Sequence, residues 1–286
     1  MTPRVSVVIP TYRRPDLLAR CLRAVLAQDL DDEAYEVIVV DDEPSEQTHA
    51  IVDGFQLARR APAPIGIIRA AAKGDGALNR TSRWSADPPV TAGPHLRYIA
   101  MYDGHGPAAA RNAGWRAAHG DIIAFTDDDC VPFPGWLRAG LSALVPGVSG
   151  ADGRVIVPQP ASPTDAQHML AALERSRFVT ANCFYRRSAL VEVGGFDERF
   201  RLPWREDSDL YFTLLESGHS LTRATGAVVV HPVREPSWAV SVREQRKSMY
   251  NALLYKKHPR LYRQRVQARP PLRYYAILGV LAIGAS

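Results

Sequence analysis

Val5-Ser-Val-Val-Ile-Pro-Thr-Tyr-Arg13 sets a short unbroken apolar run against a stop at Pro10, and the pattern recurs in Tyr35-Glu-Val-Ile-Val-Val-Asp-Asp42. A continuous run, not an alternating one, predicts a strand covered on both faces, as in a parallel sheet. Between the two runs, Pro15 to Gln28 places Leu17, Leu18, Cys21, Leu22, Val25 and Leu26 on one helical face, with proline in the first turn. Strand, helix, strand at this spacing is a βαβ unit, for which a right-handed parallel crossover is expected. The motif returns as a helix over Gly106 to His119 and a strand over Ile122 to Thr126, which ends in Asp127-Asp128-Asp129. Ligands of open parallel sheets bind outside the carboxyl ends of the strands, so Asp41-Asp42 and the triple Asp are expected to face one crevice.

Beyond Asp129 the pattern becomes mixed. Helices are predicted near Gly135 to Leu144, Asp165 to Arg175 and Asp207 to Ser217, and strands over Arg154 to Val157, Phe178 to Tyr185 and Ala227 to Val230. Ala70 to His95, rich in Gly, Pro, Ala, Ser and Arg, reads as a long loop or insertion. No internal repeat at a fixed period is evident. The fold class is therefore α/β. Residues 1–130 read as a mostly parallel, nucleotide-type half, 131–242 as a mixed, less regular half, and 243–286 as a basic C-terminal helical tail.

The 286 residues are 46% hydrophobic and 23% charged, which excludes wholesale disorder and fibrous classes. Three cysteines, Cys21, Cys130 and Cys183, without C-x-x-C spacing argue against a disulfide framework and suit a reducing, cytoplasmic setting. The N-terminus carries no secretory pattern. The net charge of +5 is unevenly divided: 243–286 holds ten Lys/Arg against the single acid Glu244, a net +9, so the remaining residues sum to −4. An acidic body with a basic, apolar-ended tail points to a membrane surface, not nucleic acid. The apolar stretch Tyr274 to Ser286 would reach about 20 Å as a helix, short of the roughly 30 Å bilayer core. Peripheral attachment at the inner face of the cell membrane is the expectation, with the start of a spanning helix, or a solvated basic helix with a frayed apolar end, as the alternatives.

Three constellations carry chemistry. Adjacent carboxylates at Asp127, Asp128 and Asp129 repel one another, so a fold that keeps them needs a cation or strong donors nearby. Oxygen ligands suit Mg²⁺ or Mn²⁺, which can bridge a diphosphate; an acidic turn without a metal is the alternative. Asp41-Asp42 suits hydrogen bonding to a ribose or base, or a local turn. Glu206-Asp207, after Trp204, stands at a helix start, where acids either favour the helix dipole or supply a general base. Trp204 offers a flat face to a sugar ring or belongs to the core. His231, between Ala227-Val-Val-Val230 and Pro232, is fixed at a strand end, as a metal ligand or a hydrogen-bonded structural residue.

In this order, Val5-Ser-Val-Val-Ile-Pro-Thr-Tyr-Arg13, Asp41-Asp42, Gly106-Pro-Ala-Ala-Ala-Arg-Asn-Ala-Gly114, Asp127-Asp-Asp129, Gly194-Gly-Phe-Asp197 and Glu206-Asp207 resemble the inverting glycosyltransferases of family 2, with the GT-A fold, over residues 4 to 235. The resemblance implies a nucleoside-diphosphate sugar donor, with Pro10, Thr11 and Tyr12 lining the nucleotide pocket. It implies that Asp42 contacts the base, Arg111 lies near the diphosphate and Asp127 faces the ribose. Asp129, with His231 as an added ligand, would hold the metal, and Asp207 would deprotonate a hydroxyl acceptor on a glycan or a lipid-linked molecule, with Trp204 and Glu206 beside it. The Gln-x-x-Arg-Trp motif of processive members is not matched by Gln245-Arg246-Lys247-Ser248-Met249, so single addition, in envelope polysaccharide or glycolipid synthesis, is expected. Two alternatives remain. A sugar-phosphate nucleotidyltransferase would need a glycine-rich phosphate loop where Pro10-Thr-Tyr-Arg stands, and a catalytically silent scaffold at a membrane would keep the same acids.

Overall fold

The computed structural model describes residues 2–60, 95–102, 105–162, 164–233, 246–269 and 280. The N-terminal half runs β1 (Val5–Thr11), α1 (Pro15–Leu26), β2 (Tyr35–Asp41), α2 (Glu46–Arg60), β3 (His95–Ala100), α3 (Pro107–Arg116) and β4 (Ile122–Phe125). β5 (Val131–Pro132), α4 (Trp136–Ala143), β6 (Gly150–Ile156), α5 (Asp165–Ala171), β7 (Cys183–Arg186), α6 (Arg187–Val193), α7 (Glu206–Glu216) and β8 (Leu221–Val230) follow. Last come α8 (Met249–Lys257) and α9 (Pro259–Arg265). One sheet of eight strands has the order β3-β2-β1-β4-β7-β6-β8-β5. β1, β2, β3 and β4 pair in parallel, and the direction reverses where β7 pairs antiparallel with β4. The expected division into a parallel half and a mixed half is therefore a property of the sheet.

β1 is apolar throughout because it is covered twice. Val5, Val7 and Ile9 pack with Leu18, Cys21, Leu22 and Val25 of α1. Val8 points the other way, into Ala108, Ala110 and Trp115 of α3 and Ile123 and Phe125 of β4. A Cβ on Gly114 would lie 2.3 Å from Val8 Cγ1, so glycine is what allows α3 to approach the sheet this closely.

Several elements differ from the sequence reading. α2 and α6 were not foreseen, and His95 begins β3 instead of closing a loop; the remainder of the expected insertion, up to residue 94, lies outside the described residues. The strand expected over Phe178 to Tyr185 is confined to Cys183–Arg186, because Phe178 takes a left-handed φ of 55° and Asn182 N–H closes a turn onto the Val179 carbonyl. β8 starts at Leu221, earlier than its apolar stretch, since β6 pairs with it from Gly150 onward.

Residues 246–269 pack on the body. Tyr250, Leu254 and Tyr262 are buried in the same core as Leu210 and Leu214 of α7. Lys257 Nζ meets Asp197 at 2.6 Å and Asp209 at 2.7 Å, and His258 bridges Asp209 and Glu216. The domain boundary expected after residue 242 thus precedes two helices that share the core. Among the described residues no helix is long and apolar enough to cross a membrane. The stretch Tyr274 to Ser286 lies outside them, Val280 excepted.

Candidate active site

The carboxyl ends of β1, β2 and β4 meet as the sequence predicts, and each acid is held in a different way. Asp42 is buried and accepts the backbone N–H groups of His105 (2.9 Å) and Gly106 (2.8 Å), so it fastens the entry of α3 to the end of β2. Gly106 is suited to this because its φ is +94° and a Cβ there would strike the Arg201 carbonyl. Asp41 is turned inward and accepts from the Tyr98 hydroxyl at 2.9 Å. Beside them, Tyr12 is half-exposed and Pro10 partly so, while Thr11 is buried.

In the acidic run the middle residue faces inward. Asp128 accepts from Thr11 Oγ1 at 2.8 Å and from Arg14 Nη1 at 3.3 Å, which ties the 11–14 loop to the end of β4. Burial and its two acidic neighbours push its carboxyl up to about 6, against the opposing pull of Arg14. Arg14 Nη1 also stands 3.6 Å from Asp129 Oδ2, and the two flanking acids meet a further group of side chains. Ligand atoms of Asp127, Asp129, Cys130 and His231 all lie within 4.8 Å of one another. His231 Nε2 stands 3.6 Å from Asp129 Oδ1. The fold explains this meeting: Cys130 leads directly into β5, whose Val131 pairs with Val230 of β8, the residue before His231. The His231 N–H also bonds to the Ile156 carbonyl at 2.8 Å, so the ring's position is set by β6 and β8. Two carboxylates and an imidazole at this spacing form a donor set that suits a divalent cation such as Mn²⁺ or Mg²⁺.

Arg111 lies between the two groups of acids. Its guanidinium is buried, with Nη2 2.7 Å from Asp127 Oδ1 and Nη1 3.1 Å from Glu206 Oε1. It joins the acids at the end of β4 to those at the start of α7. The next residue, Asn112, exchanges hydrogen bonds with the backbone of Phe196, at 2.8 and 2.9 Å. The Gly194-Gly-Phe-Asp197 stretch is thereby docked on α3.

Glu206 and Asp207 open α7 with unlike environments. Desolvation dominates at Glu206 and pushes its carboxyl up to about 7, although Arg111 pulls the other way. Asp207 is likewise raised by burial, but the Ser208 N–H at 2.6 Å, the Ser208 hydroxyl at 3.1 Å and the charge of Arg205 favour its ionised form. Trp204 is partly buried, with the Arg205 guanidinium over its ring at 4.9 Å.

Sequence reasoning missed Arg14, Cys130 and the contacts of 250–258. Arg14 and Cys130 stood next to motifs already singled out, so adjacency was the available signal. Asn251, Lys257 and His258 carry no local pattern that marks them.

Comparison with known proteins follows the same geometry. The model for "Glycosyltransferase like family 2" matches residues 3–251. The chain belongs to that family. AglE, a glycosyltransferase of Haloferax volcanii, is 28% identical over 244 residues, which cover 81% of this chain and 68% of AglE. The pre-mycofactocin glycosyltransferase of Mycobacterium tuberculosis is 32% identical over 160 residues, half of this chain but 34% of that protein. The fold is that of the mannosyltransferase PcManGT of Pyrobaculum calidifontis, solved with GDP-Man and Mn²⁺; TM-score 0.57, 20% identity, covering 100% of this chain and 81% of that one. TarS residues 1–349 of S. aureus with UDP-GlcNAc align at TM-score 0.58 and 16% identity, over 83% of this chain and 61% of that one. Both are GT-A folds, and by family this chain is a glycosyltransferase.

Proposed function

We propose that this chain transfers one sugar from a nucleoside-diphosphate sugar to an acceptor hydroxyl, with inversion and with a divalent cation held by Asp129 and His231. The observation that carries the reading is the Arg111 bridge. One buried guanidinium reaches Asp127 at 2.7 Å and Glu206 at 3.1 Å, so the donor-side acids and the acid pair at the head of α7 share one space. Asp129 and His231 would hold a cation there, whose charge would be the counterpart of a departing diphosphate. Pro10, Thr11, Tyr12 and Asp42 surround the nucleotide, and Asp127 faces its ribose. Asp207 accepts the acceptor's proton while that oxygen forms its bond to the anomeric carbon and the bond to the diphosphate oxygen breaks. General-base help of this kind is worth roughly 10²–10⁴ in rate. The structural neighbours, solved with GDP-Man and Mn²⁺, with UDP and with UDP-GlcNAc, support a nucleotide-sugar donor.

The acceptor is read as a glycan or lipid-linked hydroxyl at the cytoplasmic face of a membrane, for single addition in envelope polysaccharide or glycolipid synthesis. Exposed Arg246, Lys256, Arg260, Arg263 and Arg269, with Met249 and Tyr255 also exposed, support a surface facing anionic lipid.

A melting panel with UDP, GDP, dTDP, CDP and ATP, each with Mn²⁺ or EDTA, tests the donor side. A ligand at about 100 times its Kd adds roughly 2.7 kcal/mol, several degrees in a chain of this size. The expected outcome is a shift with one diphosphate that needs Mn²⁺ and disappears in Asp129→Ala and His231→Ala. A response to triphosphates alone would instead favour nucleotidyl transfer.

A further inference from the structure

Immediately before Glu206-Asp207 the chain makes a turn that cannot hold itself. Arg205 has φ +75°, the left-handed region, which costs a residue with a side chain about 1–2 kcal/mol. A conformation of this kind persists only where its surroundings fix it. The fixing group comes from α8: Asn251 Oδ1 accepts from Arg205 Nε at 2.8 Å and from Trp204 Nε1 at 3.1 Å. With the guanidinium also lying over the Trp204 ring, both side chains of the turn are oriented by one amide oxygen.

α8 in turn is fastened on either side of that oxygen. The Tyr250 hydroxyl accepts from the Arg201 N–H at 3.1 Å, upstream of the turn. Downstream, Lys257 Nζ donates to Asp209 Oδ2 at 2.8 Å and His258 Nε2 lies 3.1 Å from Asp209 Oδ1. Asp209 is in the first turn of α7, two residues after Asp207, and its N–H bonds to the Arg205 carbonyl at 2.9 Å. The acid pair is thus gripped by α8 from before and behind. The Arg205 charge, held by Asn251, also favours ionised Asp207.

We propose that Asn251 is a positioning residue for the reaction, acting through Arg205 and Trp204 on the base Asp207, without itself touching substrate. The inference rests on the reading of Asp207 as the base. It makes a specific chemical demand, since the two contacts use only an acceptor oxygen. Aspartate supplies that oxygen; leucine, close in volume, does not.

The experiment compares Asn251→Leu and Asn251→Asp with the wild type in the full chain. UDP-glucose, UDP-GlcNAc and GDP-mannose with Mn²⁺ serve as probes, water is the acceptor, and release of nucleoside diphosphate is followed. Misplacing a catalytic group by about 1 Å can cost about 100-fold. Asn251→Leu is expected to lose kcat on that scale while the donor Kd stays unchanged, and Asn251→Asp to recover at least about tenfold of the loss. Amide exchange is read in parallel: the leucine variant should open 204–209, the aspartate variant should not, and α1 should stay protected in both. Equal losses in both variants, or no loss in either, would overturn the proposal. If the wild type hydrolyses none of the three donors, exchange at 204–209 decides the role of Asn251 by itself: unchanged protection in the leucine variant overturns it.

Discussion

The two edges of the site, proposed above as its donor edge and its acceptor edge, are built by opposite means. At the donor edge, acids sit at the ends of parallel strands and are held by neighbours of the same half: Asp42 by the N–H groups at the head of α3, Asp128 by Thr11 and Arg14. At the acceptor edge, the acid pair opens a helix behind a left-handed residue and depends on a side chain from α8. The difference teaches that the acids proposed for nucleotide capture and the pair proposed for proton removal rest on separable supports, with Arg111 paired to a member of each group.

The strongest way to separate the edges is Asp207→Asn. Transfer should fall by at least about 10²–10⁴, while nucleotide affinity, measured by calorimetry, changes little. Loss of nucleotide binding in a folded variant would move Asp207 to the donor edge and break the contrast. Next in size is Arg111→Met, which leaves Asp127 and Glu206 without their shared partner. Breaking a buried pair from one side typically costs about 3–5 kcal/mol, so a large fall in denaturant midpoint is expected. A loss below about 1 kcal/mol would show the link to be dispensable.

The smallest effect is a pH slope. Folded Glu206 titrates at about 7, above the ordinary carboxylate range, so the folded state binds its proton more tightly than the unfolded state does. Its contribution to stability is fully present below about pH 4 and is lost as pH rises through about 7. Asp128, raised to about 6, acts in the same sense. The melting temperature of the wild type relative to Glu206→Gln should therefore decline between about pH 5 and 7.5. A difference that grows with pH would overturn that assignment.

How much of this was legible beforehand follows the same division. Apolar runs at β1, β2 and β4 are visible because strands buried on both faces must be apolar throughout, and their acid-ended stops place the donor edge. β3 was lost beside a Gly- and Pro-rich stretch, since His95, Arg97 and Tyr98 break the run; the structure uses Arg97 to pair with Glu36 and Tyr98 to bond Asp41. Glu206 and Asp207 could be named from their motif, but not the turn that presents them, because Asn251 is a single polar residue on a helix whose sequence reads as basic surface. Arg111 can be named from its motif, but its partners cannot: burial between two carboxylates is decided by how α3, β4 and α7 converge.

The order of the chain gives the α8 contact a temporal side. Synthesis at about 5–20 residues per second leaves roughly 2–9 s between addition of Asp207 and addition of Asn251. Throughout that interval the ribosome-bound chain contains its strand-end acids and Asp207, yet lacks the amide that steadies Arg205. His231 is also added before Asn251, so a chain ended just short of α8 would carry every residue proposed to hold the donor and lack the one that braces the turn before Asp207.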